Sequence, residues 1–159
     1  MAAHRPQETL GRVEGSQLYR SVDRFPTTTD PRGAILRLDG PLDFLSVEAV
    51  TGRLLTLAAD RPELDWLVLE MGGVTGMDSA GVHALHDVQA HLVDADVNLH
   101  LATLRGPQRD VIRRAGLFSQ LMEGSCHADV PAALAAIGLP EDAPIRRPSD
   151  DEPAPDGLW

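Results

Sequence analysis

A chain of 159 residues with 43% apolar residues is long enough for one domain with a single core, and its composition argues against disorder as the starting expectation. Aromatic residues make up only 4%, so the core has to be assembled from Leu, Val, Ile and Ala. A formal net charge of -10 argues against nucleic acid or an anionic membrane surface as partner, and no apolar run approaches the ~18 residues of a membrane span.

Residues 1–31 read as a polar lead-in with one extended segment, Gln17 to Val22, and Met1 to Gln7 lack a signal-peptide core. Residues 32–138 alternate apolar strands with amphipathic helices. Ala34 to Leu38 is a strand ended by a turn at Asp39-Gly40-Pro41. Ser46 opens a helix to about Ala59 with Val47, Val50, Leu54 and Leu57 on one stripe. Trp66 to Leu69 is almost continuously apolar, as in a strand covered on both faces. A second helix runs from Asp78 to about Asp94, turning Val82, Leu85, Val88 and Leu92 inward. Val97 to Ala102 alternates as a strand with one half-exposed face. Pro107 begins a third helix that Gly116 ends, and Leu117, Phe118 and Leu121 pack back on the core. Asp129 starts a last helix to Ile137, stopped by Gly138. Such alternation implies an α/β fold with a mostly parallel sheet and helical crossovers. From Leu139 to Trp159 the chain is acidic and proline-rich, with the composition of a disordered tail.

The informative segment is Thr75-Gly76-Met77-Asp78-Ser79-Ala80-Gly81, where the most apolar strand hands over to the second helix. Asp78 has the chemistry of an N-cap, its carboxylate accepting from the free N–H groups of the first turn. Ser79 then takes the first helical position, exposed, where the helix dipole favours negative charge. Gly81 lacks a side chain near the turn and lets another backbone come close. A phosphate on Ser79 would add about two negative charges to the surface without disturbing the core. By capping preference alone, the same residues read simply as a helix start.

The block Trp66-Leu67-Val68-Leu69-Glu70, followed after Met71 to Thr75 by Gly76-Met77-Asp78-Ser79-Ala80-Gly81-Val82, resembles the signature of STAS domains (sulfate transporter and anti-sigma factor antagonist). Arg113-Arg114-Ala115-Gly116-Leu117-Phe118 is similar to that family's helix end before its last strand. With Leu36 to Asp43, the resemblance spans residues 33–138. It implies a mixed, mostly parallel β-sheet with helices packed mainly on one face. In the antagonist branch the serine directly after the aspartate is the phosphoacceptor, which places that role at Ser79, with Asp78 and Gly81 shaping the helix entry. Ala80 departs from the second hydroxyl residue the family often has there.

A further resemblance selects a branch. Leu10 to Ser16, Tyr19 and Val22-Asp23-Arg24-Phe25-Pro26 look like the lead-in to the cytoplasmic domain of SulP-type anion transporters, a linker from the last membrane helix. Arg37-Leu38-Asp39-Gly40-Pro41-Leu42 with Phe44 resembles the R-x-D-x-P-L-x-F common in that branch, although Asp43 and Leu45-Ser46 replace the aromatic and Ala-Asn residues usual after the proline. The implied function is a non-catalytic regulatory domain of a transporter of sulfate, bicarbonate or related anions, at the inner face of the plasma membrane. Its partner would be the transporter's transmembrane domain, with homodimerisation as a further expectation and no cofactor. The alternative is a free-standing anti-sigma factor antagonist, switched at Ser79 by a partner kinase.

Other groups carry weaker signals. His83 and His86 with Asp87 have a spacing that suits a metal, but a structural zinc needs four ligands and no others cluster nearby, so a solvated helix face is expected. Cys126 is the only cysteine, which rules out an intramolecular disulfide; beside His127 it is expected to pack rather than react, since adjacent residues rarely face each other productively. Ser79 as a hydrolase nucleophile lacks the elbow's first glycine, because Met77 stands there. Gly72, Gly73 and Gly76 match neither a dinucleotide fingerprint nor a P-loop. Arg105, Arg109, Arg113 and Arg114 form a basic cluster on an acidic chain, read as salt-bridged surface or as a dock for an anionic partner.

Overall fold

The computed structural model describes residues 7–13, 19–21, 27–28, 30–117, 119, 121 and 123–139. The expected acidic tail, from Pro140 onward, lies outside them, as does Phe118. Three strands come first: β1 (Gln7–Val13), β2 (Tyr19–Ser21) and β3 (Thr27–Thr28). Strands and helices then alternate as β4 (Gly33–Leu42), α1 (Val47–Asp60), β5 (Trp66–Met77), α2 (Ser79–Asp94), β6 (Asn98–Ala102), α3 (Gly106–Arg114), β7 (Cys126–His127) and α4 (Val130–Ile137). The sheet order is β2-β1-β4-β5-β6-β7, with β3 also paired to β1. β4 through β7 run parallel, and β1 pairs antiparallel with β4, β2 and β3, so the sheet is mixed and mostly parallel.

Alternation along the strands sorts the core into two layers. Leu36, Leu38, Leu67, Leu69, Leu99 and Leu101 face one side and pack with Val50, Leu54, Val82, Leu85, Val88 and Ile112 of α1, α2 and α3. Ile35, Trp66, Val68 and Ala102 face the other side, where α4 brings Val130, Ala133 and Leu134. Among the described residues α1, α2 and α3 cover one face and α4 the other, which is why Trp66 to Leu69 read as an unbroken apolar run. The last helix is capped as its sequence implies: Ala132 N donates to Asp129 Oδ1 at 2.8 Å, and Gly138 closes it at φ 92.

Two expectations need correction. Asp39-Gly40-Pro41 is not a turn: β4 continues through it to Leu42, with register shifts between Arg37 and Asp39 and between Gly40 and Pro41. Likewise β5 does not stop at Leu69 but extends through Gly72, Gly73 and Gly76 to Met77. The irregularity accommodates what a regular ladder would reject, since Pro41 has no N–H to donate. A Cβ on Gly73 would run into the Asp39 carboxylate and lie 2.8 Å from the Leu38 carbonyl oxygen. The lead-in also differs, carrying three strands where one extended segment is expected, with Gln7 to Leu10 opposite Ile35 to Leu38.

Candidate functional site

The extended β4 and β5 end together, Leu42 opposite Met77, and deliver the chain to the start of α2. Asp78 sits at that corner in an extended conformation, and its N–H donates to the Leu42 carbonyl at 3.4 Å. One carboxylate oxygen accepts from Gly81 N at 2.9 Å, the capping bond expected from sequence. The other accepts from Phe44 N at 3.2 Å, so a single side chain ties α2 to the turn between β4 and α1. Gly81 is buried, and a Cβ there would collide with the Leu42 carbonyl oxygen. Its bare backbone is what lets strand and helix touch.

Ser79 lies on the first residue of α2 and is exposed. Next to it the turn is held by short-range bonds: Leu45 N and Ser46 N donate to Asp43 Oδ1 at 3.0 and 3.2 Å, and the Ser46 hydroxyl donates to Pro41 O at 2.8 Å. The turn presents Phe44 and Leu45 to solvent, 69% and 78% exposed. The exposed Ser79 therefore follows directly on the residue, Asp78, that ties the α2 start to the exposed Phe44–Leu45 turn.

The arginines divide by role. Arg105 donates through Nη2 to Gly72 O and Val74 O at 2.9 and 3.0 Å, and the buried Gln108 also donates to Val74 O at 2.8 Å. Gln108 Oε1 accepts from Arg105 N at 3.0 Å, so this pair straps α3 to β5. Arg109 Nε bonds Leu104 O at 3.3 Å, and Arg113 bonds Asp110 at 3.2 Å. Arg105 and Arg114 line a cleft of about 480 Å³ whose other wall is Thr75, Gly76 and Met77. Among the helix histidines, His83 and His91 donate through Nδ1 to the carbonyls of Ser79 and Asp87, both at 2.7 Å. Burial pushes the Cys126 thiol up, with Arg109 opposing, so it stays protonated at neutral pH, and it packs against the larger core layer.

One pair escaped the sequence reading. His100 on β6 and His127 on β7 approach with Nδ1 and Nε2 3.1 Å apart and ring centroids 5.3 Å apart. No local signal gives this, because the residues are 27 apart and meet only through the β6–β7 register. Burial, then the neighbouring His127, lowers the His100 pKa from its ordinary value. The unfolded chain therefore binds that proton more readily, and stability present above about pH 6.5 is lost as pH falls towards the folded value. His100→Gln is expected to shrink the Tm loss between about pH 7 and pH 5 in thermal melts. An identical loss in both proteins would contradict this assignment.

Comparison with known proteins places these features in context. The family model described as "STAS domain" matches residues 24–133. The chain is 31% identical over 103 residues to Sulfate transporter 1.3 of Arabidopsis thaliana, a stretch covering 58% of this chain and 16% of that protein. The chain thus spans about a fifth or less of the curated relatives first matched. Among solved structures, the murine anion transporter Slc26a9 superposes with a TM-score of 0.72 at 20% identity, covering 85% of this chain and 22% of that one. The anti-sigma factor antagonist SpoIIAA of Bacillus, in its unphosphorylated form, gives 0.58 at 19% identity, covering 72% of this chain and 96% of that one. Both structural likenesses concern the fold.

Proposed function

Because the chain belongs to the STAS domain family, we propose that it is the non-catalytic regulatory domain of a SulP-type anion transporter, carried at the cytoplasmic side of the membrane. Its curated relatives include proteins named as sulfate transporters, of which it matches a minor part. Among the described residues no helix is long and apolar enough to cross a membrane, so transport itself would belong to a partner transmembrane domain. The observation that carries the reading is Ser79, exposed on the first turn of α2 beside the Asp78 carboxylate that also holds the Phe44 turn.

A phosphate there would meet helix-start amides that have no intrahelical partner, and the dipole would favour its charge. It would also stand next to Asp78 and alter docking by charge while the core stays intact. Arg109, Arg113 and Arg114 are the proposed contacts for an anionic partner, and homodimerisation is a further proposed association. Incubation with a cognate kinase and ATP should add one phosphate, which Ser79→Ala should abolish. Labelling that survives the substitution rejects the switch. The second reading, a free-standing antagonist phosphorylated by a sigma-sequestering kinase, is supported by the match over 96% of SpoIIAA. Membrane spans encoded upstream in frame separate the first reading from the second.

A further inference from the structure

We infer that the cleft where β5 and β6 begin and α4 ends binds a small uncharged amide with an apolar body, held by the indole N–H of Trp66. The cleft encloses about 540 Å³, a volume in the range of small-molecule sites. Trp66 lines it and is 6% exposed. Among the described residues, Trp66 Nε1 is the one buried side-chain nitrogen or oxygen without a hydrogen-bond partner. An indole N–H can only donate, and a buried donor left unpaired is unfavourable. The group that satisfies it must therefore bring an acceptor oxygen, which a carbonyl supplies and a cation does not.

The strand register seats the ring. Gly33 stands opposite Trp66 across the β4–β5 pair, and a Cβ there would overlap the indole. Ile137 and Leu139 pack on the small core layer that contains Trp66, yet both are only partly buried and both line the cleft. They form the apolar cover beneath which a ligand slides to reach the N–H. Asn98 is the β6 partner of Trp66 and lines the same cleft. Its side chain both donates and accepts, the complement of an amide's C=O and N–H. Arg32 and Asp65 at the rim have their charged atoms 4.0 Å apart and side chains equally exposed, so they offset each other and favour a ligand without net charge. Ser79 lies beyond the opposite end of β5, so this cleft and the proposed switch stand apart.

Hexanamide titrated into the isotope-labelled full chain should move the Trp66 indole N–H resonance saturably, with a dissociation constant of about 1 mM for a fragment of this size. Trp159→Phe removes the other indole signal and identifies the one that moves. Hexylamine, protonated and without an acceptor at neutral pH, should leave that resonance in place. Hexanoate, charged and lacking the amide N–H, should bind at least about threefold more weakly. Trp66→Phe keeps a ring but loses the donor, and should weaken hexanamide binding by at least about tenfold, read from backbone amide shifts around the cleft. Asn98→Ala, at an exposed position, should weaken it by at least about threefold. An indole resonance that does not respond, an equal response to hexylamine or hexanoate, or full affinity in both variants overturns the site. If Trp66→Phe does not fold, the indole resonance of the parent and the Asn98→Ala affinity decide.

Discussion

Gly81→Ala is expected to destabilise the protein by about 2 kcal/mol, even though alanine is the better helix former. Alanine in place of glycine inside a helix gains about 1 kcal/mol. Against that, the new Cβ meets the Leu42 carbonyl oxygen, with the Leu42 carbonyl carbon and Cγ at 3.0 and 3.2 Å. Overpacking of this kind costs about 1–3 kcal/mol, occasionally more. The contact is with backbone that cannot rotate away, and α2 is anchored by Val82 and Leu85, both buried, so the upper end applies. At about 2–4 °C per kcal/mol for a chain of this size, the Tm should fall by roughly 4–8 °C. Gly52→Ala in α1 supplies the control, since a Cβ there has nothing within 4 Å. That change should raise stability by up to about 1 kcal/mol. If thermal melts place Gly81→Ala at or above the parent, the close approach of β4 and α2 is wrong.

Asp78→Ala is expected to cost about as much by a different route. It removes the acceptor for Gly81 N and the acceptor for Phe44 N, together with a negative charge at the start of a helix. Loss of an N-cap costs about 1 kcal/mol and up to about 2. The Phe44 amide is exposed enough to turn to water, so its share is about 0.5–1 kcal/mol. The sum is about 2 kcal/mol in chemical denaturation, and Asp78→Asn should fall between the two because it keeps one acceptor oxygen. Amide exchange gives a sharper readout, as Phe44 should exchange faster in Asp78→Ala while residues within α1 do not. Unchanged exchange at Phe44 would show that the turn is held without Asp78.

What the sequence announced was local. Helix starts at Asp78 and Asp129, the stop at Gly138 and the inward stripes of α1 and α2 were legible because capping and periodicity act within a few residues, whereas Ser46 precedes α1 without a side-chain capping bond. The exposed serine after the capping aspartate follows from the same rules. The motif resemblance anticipated the mixed sheet, and the comparisons agree with it.

Gly and Pro misled where pairing overrode them. Asp39-Gly40-Pro41 looks like a turn and the second strand looks confined to Trp66 to Leu69, yet β4 and β5 carry each other through Pro41 and through Gly73 and Gly76 because each gives the other a partner. Their extra length brings Leu42 to Gly81 and positions Asp78 to reach Phe44, 34 residues away. The strand β1 has too mixed a pattern to be read alone, and its place depends on the edge that β4 offers. Composition and short-range spacing therefore determined the helices, the central stretches of β4, β5 and β6, and the position of the candidate serine. Tertiary structure alone decided which backbone lies against α2, what the second oxygen of Asp78 holds, and that two distant histidines share an edge. Those facts depend on strand register, which is set by the whole sheet and by no single segment of it.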